Sequence, residues 1–352
     1  MKIAKQTAKK ILIILLIVFG GLILLGGGIF TIGMSVAGWD FSVMNTVNYQ
    51  YTTYTETQEI TNIELDFDTN DIKVFFDETA TQVRVEYAEK YSNNGNQLTQ
   101  TTITEENGSL KIEQERKFIP YMEFSVGESS LVNVYLPKNR VYTLNIETDT
   151  GDIGFSGNAT LRNLCLETDT GCISLSGRID CSGTIGISVD TGSILISNFI
   201  TERLLLEADT GNITLDGKCE VKDYAKIVTD TGNVTTLHTL SVSSALTIKT
   251  STGDVRLNDI FGAILTVETS TGDITSIGTS VLDFQSLILS TSTGDITIHL
   301  TGKADEYSIQ AYTNTGNNNL YDFPDASKPR SLKIHSSTGN IKGIFQPNTI
   351  GK

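Results

Sequence analysis

The stretch that decides the fold is Asp149-Thr150-Gly151-Asp152-Ile153, because close variants of it return along the rest of the chain. Such a period of about 20 residues is typical of a solenoid, in which each repeat forms one coil stacked on the previous one. We therefore predict an all-β chain with a parallel β-solenoid, or β-helix, of about ten coils of roughly 21 residues. The copies are centred on ten glycines that lie 19 to 23 residues apart: Gly151, Gly171, Gly192, Gly211, Gly232, Gly253, Gly272, Gly294, Gly316 and Gly339.

The apolar positions change parity at each of these glycines. Seven and five positions before the glycine the residues are mostly large and apolar, as in Leu164 and Leu166 before Gly171. After the glycine an apolar residue follows two positions later, as in Ile173, and Asn318 is the one polar exception. A strand running straight through would turn these residues to opposite faces. The glycine is therefore predicted to form a bulge or corner, and we expect a positive φ at all ten positions.

The N-terminal segment predicts a membrane anchor. Lysines at positions 2, 5, 9 and 10 precede a stretch without charge that runs from Ile11 to Trp39. An apolar helix of this length can cross a bilayer, and lysines on one side place the N-terminus in the cytoplasm. We predict a cytoplasmic basic tail over 1–10, a transmembrane signal anchor over 11–36 and an extracellular C-terminal domain. Cleavage after Ala37, as in a signal peptide, is the alternative.

Between the anchor and the repeats the composition changes twice. Residues 45–59 are polar, rich in Thr and Tyr and without apolar periodicity, which predicts a polar linker over 37–58. Residues 59–142 alternate like strands, and Asp68-Thr69-Asn70-Asp71-Ile72 repeats the turn with Asn in the glycine position. We predict an N-terminal degenerate β cap over 59–142, β-solenoid repeats over 143–345 and a C-terminal tail over 346–352.

Charge and cysteine content limit the partners. The chain has a net charge of −15, so its surface repels nucleic acid and we expect no nucleic-acid partner. Four cysteines in an exported domain permit three disulfide pairings, but these four lie at unequal distances from the turn glycines. We therefore predict buried free thiols, and the spacing does not resemble a zinc site. The four are Cys165, Cys172, Cys181 and Cys219.

The Asp-Thr-Gly triplet suggests an aspartic protease, most closely at Val189-Asp190-Thr191-Gly192-Ser193. That chemistry needs two carboxylates that face each other and share a proton. Here Asp recurs in five successive coils, at positions 149, 169, 190, 209 and 230, and later coils carry Ser or Asn instead. All of these residue types can accept a backbone N–H in a turn. We therefore predict a turn-capping role and no catalytic residue.

Calcium binding is a second hypothesis for the turn, because acidic residues occur both two positions before the glycine and one after it. Among the ten glycine turns only the first carries both, as Asp149 and Asp152, which are weak candidate ligands. In the other turns at least one position is neutral, which indicates avoidance of stacked like charges. His238, His299 and His335 occupy different repeat positions. We predict no cofactor and no further metal site.

The chain resembles a known bacterial family. The lysine-flanked anchor, Leu136-Pro137-Lys138 leading into Tyr142-Thr143-Leu144, and the Thr-Gly-Asp-Ile coils are similar to the "putative adhesins" with short β-strand repeats, over residues 60–345. The resemblance implies an adhesin-like, membrane-anchored protein without catalytic residues, and some family members accompany envelope-stress signalling systems.

We therefore expect a non-enzymatic, membrane-anchored extracytoplasmic protein that binds an unknown protein or a cell-envelope glycan. Its partners would be the membrane, through residues 11–36, and that ligand. A regulatory or sensory component of an envelope-stress system is the alternative. A carbohydrate-active β-helix enzyme is the less favoured third hypothesis, because no cluster of acids or bases is visible on one coil face.

Overall fold

The computed structural model describes residues 26–27, 29–33, 35–36, 38–39, 45–117, 130–277 and 281–346. From Val47 onward the chain forms β-strands that hydrogen-bond into one continuous 27-stranded system. Seven strands precede the glycine repeats: β1 (Val47–Thr55), β2 (Asn62–Phe67), β3 (Asp71–Asp77), β4 (Arg84–Ser92), β5 (Thr99–Glu106), β6 (Ser109–Arg116) and β7 (Leu131–Pro137).

The regular part of the chain repeats one pattern around each glycine corner. One strand ends at the threonine before the glycine, and the next begins two residues after the glycine. These strands are β8 (Tyr142–Thr150), β9 (Ile153–Ser156), β10 (Ala159–Thr170), β11 (Ile173–Cys181), β12 (Thr184–Thr191), β13 (Ile194–Thr201), β14 (Arg203–Thr210), β15 (Ile213–Leu215), β16 (Cys219–Val221), β17 (Tyr224–Thr231), β18 (Val234–Thr236), β19 (Leu240–Thr252), β20 (Val255–Leu257), β21 (Ile260–Thr271), β22 (Ile274–Ser276), β23 (Leu282–Thr293) and β24 (Ile296–Thr301).

Each coil contributes to three parallel sheets around one core. The first sheet holds the strands before the glycine, such as β8, β10, β12 and β14, and the second holds those after it, such as β9, β11 and β13. The third sheet is formed by the first residues of long strands such as β10 and β19, by the last residues of β11 and β13, and by β16. The predicted parallel β-solenoid is confirmed, with about nine turns.

The core follows the predicted change of parity. In the coil of Gly171, Leu164 and Leu166 are buried before the glycine, and Ile173 and Leu175 are buried after it. Equivalent apolar residues pair in register between coils and so form continuous columns inside the three sheets. Burying an aliphatic side chain contributes roughly 1.5–3 kcal/mol. Repetition of this burial is what favours the stacked arrangement over an isolated coil.

The N-terminal end is stacked out of chain order. β2 and β3 form a coil around Asn70 and pair with β8 and β9, but β6 and β7 cover their other edges and are the outermost parallel strands. Antiparallel strands then close the end, since β5 pairs with β6, β4 with β7 and β1 with β4. Such coverage prevents the first coil from presenting an open core and a long parallel edge.

The C-terminal end is also out of order. Three strands complete it: β25 (Tyr307–Thr315), β26 (Arg330–Thr338) and β27 (Ile341–Gln346). β26 pairs with β23, and β25 lies on the outer side of β26, so the coil of Gly316 is outermost and that of Gly339 lies beneath it. The expectation of ten equivalent coils in chain order is therefore wrong for the last two. After Gly316 only a bridge between Asn318 and Ile341 replaces the second strand.

The linker predicted over residues 37–58 is wrong for β1, which is a strand of nine residues paired with β4 over its whole length. Both faces of β1 are largely exposed, so its sequence shows no apolar alternation. The basic tail over 1–10 lies outside the described residues, as do most of the predicted anchor over 11–36 and positions 347–352 of the predicted tail. Among the residues that the structure describes, no helix has the length and apolar character needed to span a membrane.

Candidate functional site

The glycine corners lie directly above one another, and this stacking explains why the residue is glycine. A β-carbon built on Gly232 would lie 1.9 Å from the carbonyl oxygen of Gly211 in the adjacent coil, and the corresponding distance is 1.6–2.1 Å at all ten corners. Nine of the ten have φ between 148° and 157°, whereas Gly232 lies outside the positive range. The predicted corner is therefore present, but the expected positive φ is not common to all ten, and the shared cause is the contact between coils.

A column of buried hydroxyl groups satisfies the carbonyl oxygens of these corners. Three positions before the glycine, the hydroxyl of Thr229 donates to the carbonyl oxygen of Gly211 at 3.0 Å. Val189 and Ala208 occupy this position in two coils and cannot donate. The same bond, over 2.8–3.3 Å, is made by Thr148, Thr168, Thr229, Thr250, Thr269, Thr291, Thr313 and Ser336.

Side-chain oxygens one position after the glycine form a second column. Asp152 Oδ1 accepts the backbone N–H of Cys172 in the next coil at 2.7 Å, and Asp254 Oδ1 accepts that of Asp273 at 3.0 Å. The prediction that the residue two positions before the glycine caps its own turn is therefore wrong. The capping oxygen lies on the other side of the glycine, and its bond joins neighbouring coils. Asn212, Asn233, Asp273, Asp295 and Asn340 bond in the same way.

The residues two positions before the glycine form an exposed acidic column on the first sheet. Register pairing of the flanking threonines places the five aspartates side by side in successive coils. Partial burial, followed by repulsion from Asp68 and Asp169, raises the pKa of Asp149. Partial burial, followed by repulsion from Asp66, raises the pKa of Glu147. The column presents its carboxylates in one direction, which does not favour the facing pair of an aspartic protease.

The two candidate calcium ligands occupy different environments. Asp149 lies in the acidic column of the first sheet, whereas Asp152 is engaged by the N–H of Cys172. Within the described part of the chain, no group of three or more His, Cys, Asp or Glu side chains is arranged to hold a metal ion. Capping between coils is therefore the role that the geometry gives to Asp152.

All four cysteines are free thiols. Cys181 and Cys219 are buried, and burial raises the pKa of Cys219 to about 12. Cys165 and Cys172 are exposed, so the prediction of buried thiols is wrong for these two. Their positions, six before and one after Gly171, are outward positions of the coil.

An apolar cleft of about 480 Å³ lies at the C-terminal end of the solenoid. Ile309, Leu320 and Phe345 line it, together with two aromatic side chains, Tyr321 and Phe323. Tyr321 is 90% exposed and Phe323 is 54% exposed, so both leave aromatic surface in water. We call this feature the C-terminal cleft; Ala304, Asp305, Asn319, Lys328 and Gly343 complete its lining.

The loop between β25 and β26 builds the cleft by folding over the outermost coil. The backbones of Phe323 and Ile309 exchange two hydrogen bonds, at 2.8 and 2.9 Å. The Asn319 side chain exchanges two more with the backbone of Gly343, at 3.0 and 2.8 Å. Leu320 packs where a β-carbon on Gly343 would lie, 2.7 Å away. The cleft is therefore held in place by the outermost coil and the one beneath it.

Two oppositely charged side chains line the C-terminal cleft. Lys328 Nζ lies 5.7 Å from the centre of the Phe323 ring and 3.9 Å from a carboxylate oxygen of Asp325. The carboxylate of Asp305 is exposed. Apolar surface with a few polar groups at its edge is typical of a ligand site. Sequence reasoning missed this cleft, and the available signal was the pair of aromatic residues in the otherwise polar loop 317–329.

Two other grooves lie on the regular coil surface. A groove of about 520 Å³ on the third sheet is lined by Arg178, Lys218 and Glu220, and the Phe199 ring beside it is buried. Arg178 is already paired with Asp180 at 2.9 Å. A smaller groove, of about 230 Å³, lies beside Gly186 on the first sheet. Neither is lined by an exposed aromatic ring, so the C-terminal cleft is the better candidate for a ligand site.

The comparison with solved structures found the following three similarities, among others. A "putative adhesin" from Bacteroides fragilis is 12% identical, with a TM-score of 0.40, 71% of this chain covered and 97% of that chain. A "putative adhesin" from Parabacteroides distasonis is 12% identical, with a TM-score of 0.43 and coverages of 73% and 97%. A "putative lipid binding protein" from the same species is 14% identical, with a TM-score of 0.38 and coverages of 85% and 96%.

No curated protein matches the chain. The sequence does match one family of proteins over residues 60–342, a range that includes every glycine corner. The match confirms the family resemblance and covers the Thr-Gly-Asp-Ile coils. The chain belongs to the Toastrack DUF4097 family.

Proposed function

We propose that the protein is a non-enzymatic, adhesin-like binding protein of the cell envelope that takes its ligand in the C-terminal cleft. The observation that carries the proposal is the exposure of Tyr321 and Phe323 beside an apolar cavity. Exposed aromatic side chains at a cavity are unfavourable in water unless a partner covers them. The solenoid surface is otherwise mostly polar and acidic, so a ligand that buries these two rings would gain free energy here.

A cell-envelope glycan is the ligand class that fits this surface. The apolar face of a pyranose ring can stack on the rings of Tyr321 and Phe323, and its hydroxyl groups can bond to charged side chains. Asp305 and Lys328 supply an acceptor and a donor in the lining of the same cavity. A protein ligand would use the same apolar surface and is the other outcome of the test.

The test compares binding of the full-length chain to purified cell-envelope polysaccharides with binding by Tyr321→Ala and Phe323→Ala. Each substitution should weaken binding about tenfold, which corresponds to about 1.4 kcal/mol. Tyr224→Ala is the matched control, because Tyr224 is also exposed, at 38%, but lies in a middle coil. Glycan binding that neither cleft variant weakens would contradict the assignment of the cleft. Binding confined to envelope proteins would replace the glycan as ligand.

The non-enzymatic part of the proposal is supported by the roles found for the turn residues. The recurrent Asp side chains either bond to backbone N–H groups of the next coil or stand in one exposed column. We expect the polysaccharides to be recovered unchanged after incubation with the protein. Release of smaller products that Asp305→Asn abolishes would show an enzyme instead.

We also propose that residues 11–36 anchor the protein in the cell membrane with the solenoid outside. The support is the uncharged stretch from Ile11 to Trp39 and the four lysines before it. Protease added to intact cells should then remove the solenoid and spare the N-terminal tail. A mature protein that begins at Gly38 would contradict the anchor, because the apolar segment would have been removed.

A further inference from the structure

Two columns of side chains point outward from the third sheet in the middle of the solenoid. Ile179, Phe199 and Cys219 are buried in successive coils, so the residues directly before and after each of them face outward. These residues pair in register, so each column rises by about 4.8 Å per coil. We call the six residues the third-sheet patch. The first column holds Arg178, Asn198 and Lys218, and the second holds Asp180, Ile200 and Glu220.

The two columns carry opposite charges. Arg178 and Lys218 are the cations of the first column, whereas Asp180 and Glu220 are the anions of the second, so the patch carries no net charge. The exposed column of aspartates lies on the first sheet, which is another face of the solenoid. In a chain of net charge −15, the third-sheet patch is therefore a surface where a second acidic molecule can approach without net repulsion.

The charged side chains of the patch are open to solvent. Lys218 and Glu220 are exposed, and the side chains of Arg178 and Asp180 are 56% and 47% exposed although they pair at 2.9 Å. A groove of about 520 Å³ runs over the patch. The groove leaves room for the side chains of a partner. Charged groups that meet there stay partly hydrated, which limits the cost of bringing them together.

We propose that two copies of this chain pack through their third-sheet patches, with both solenoids running in the same direction, about a two-fold axis parallel to the solenoids. Rotation about this axis exchanges the two columns, so the first column of one copy faces the second column of the other at the same height. Arg178 of one copy then meets Asp180 of the other, and Lys218 meets Glu220. Because of the symmetry, each of these pairs of opposite charges occurs twice.

The charge pattern disfavours the arrangement in which the two solenoids run in opposite directions. A two-fold axis along the strands would set each column against itself, so Arg178 would meet Lys218 and Asp180 would meet Glu220. Like charges that face each other in an interface are unfavourable. The parallel arrangement also brings both N-termini to the same side, as the anchor proposed for residues 11–36 requires.

The interface is small, so the dimer should form reversibly. Neutral residues extend both columns by one coil at each end: Asn158 and Thr160 at one end, Thr239 and Ser241 at the other. Five coils then face each other over about 19 Å, which is short for an interface of standard size. We therefore expect monomer and dimer to exchange, and two chains held in one membrane to pair more readily than chains free in solution.

The test is sedimentation velocity of the full-length chain in detergent over a series of protein concentrations. Lys218→Glu and Glu220→Lys each set like charges against each other at both symmetry-related contacts, so each should weaken the dimer at least about tenfold. The double variant restores opposite charges across the axis and should dimerise within about threefold of wild type. All of these changes are on exposed side chains, so the circular dichroism spectra should match that of wild type.

Glu207→Lys is the matched control, because Glu207 is also exposed but lies on the first sheet. It removes the same negative charge as Glu220→Lys, so it should not weaken the dimer.

A wild type that stays monomeric up to about 1 mM would overturn the proposal. A dimer that Lys218→Glu strengthens would also overturn it, because the columns would then face themselves. Association that the single variants leave unchanged, or that the double variant does not restore, would show that another surface, such as the apolar N-terminal segment, is responsible.

Discussion

At most corners, a glycine depends on a hydroxyl group of the adjacent coil, which lies three positions before that coil's own glycine. The glycine carbonyl oxygen accepts the bond of a buried hydroxyl and lies against the glycine of the adjacent coil. Absence of a β-carbon lets the two backbones approach this closely. The recurring Asp-Thr-Gly is thus explained by contact between coils, and the carboxylate two positions before the glycine is not needed for the corner.

Steric contact and backbone strain can be separated by two alanine substitutions. Gly232→Ala introduces a β-carbon 1.9 Å from a backbone oxygen at a residue outside the positive φ range, so it should destabilise by about 3 kcal/mol or more. Gly157→Ala meets no atom closer than 3.6 Å but has φ of 97°, so it should cost about 1–2 kcal/mol. Urea unfolding measures both. An equal or larger loss at Gly157 would show that conformational strain dominates.

The buried hydroxyl column predicts opposite effects for two substitutions between Thr and Val. Thr229→Val leaves the carbonyl oxygen of Gly211 without its hydroxyl donor, so we expect a loss of about 1–3 kcal/mol. Val189→Thr places a hydroxyl donor three positions before Gly192. The carbonyl oxygen of Gly171, in the adjacent coil, would be its acceptor. Val189→Thr should leave the free energy of unfolding unchanged or raise it slightly. Thermal unfolding of both variants tests the pair, and an equal loss in both would disprove the bond's role.

Among the elements, the strands of the repeats were the most predictable. Their apolar columns predicted both the change of parity at the glycine and the parallel stacking, because both depend on a local pattern that every coil repeats. β1 was not predicted, since a strand exposed on both faces carries no apolar alternation. The C-terminal cleft was not predicted either, because Tyr321 and Ile309 meet only through the folding of the loop over β25.

The order of the last two coils could not be read from their apolar residues. Leu332 of β26 pairs with Leu287, but Ile309 of β25 has the same repeat position and a similar volume. Asn318 was the available signal, because it replaces the usual apolar residue two positions after the glycine. A polar residue is tolerated there since the outermost coil has no further coil to cover it.

The strands of the first sheet near the N-terminal end should respond to pH through their carboxylates. The pKa values of Asp66 and Asp149 are raised above the usual 3.8, and the pKa of Glu147 is raised above the usual 4.5. A carboxyl group whose pKa is raised by folding stabilises the folded state when it is protonated. This stabilisation is fully present below the pKa that the group has in the unfolded chain, and it is lost as the pH rises through the pKa in the folded chain. The contribution of these three carboxylates to stability should therefore fall as the pH rises from about 4 towards neutral.

Asp149→Asn removes one of these carboxylates and should flatten that dependence. We expect the variant to be more stable than wild type at pH 7 and to show a smaller difference near pH 4, where wild type is partly protonated. Melting temperatures of both proteins at the two pH values test this. An equal effect at both pH values would show that charge repulsion at Asp149 is not the cause.

At the scale of the whole molecule, the structure separates a repeated middle from two specialised ends. At the C-terminal end the outermost layer, β25, is connected at both of its ends to strands further inside, because it follows β24 and precedes β26. A layer tethered on both sides cannot separate without extending its connections. Fraying at the C-terminal end of the solenoid is therefore opposed by the covalent chain as well as by packing.

The separation predicts that one middle coil can be removed. Deleting residues 212–232 joins Gly211 to Asn233, which restores the same Gly-Asn step that the coil normally makes. The shortened chain should fold with the same circular dichroism per residue and a length reduced by about 4.8 Å. It should also be less stable, because one set of contacts between coils is lost. Small-angle scattering and thermal unfolding measure these effects, and a collapsed or disordered chain would contradict the independence of the ends.

Because each end is closed by its own strands, the number of coils between them is free to vary. Duplication or loss of a whole repeat would move the C-terminal cleft by one strand spacing and leave its lining residues untouched. The length of the solenoid would then depend on the number of repeats, and ligand binding would depend on the loop that forms the cleft, so the two properties could evolve separately. Evolution could change how far this protein extends without changing the residues that bind its ligand.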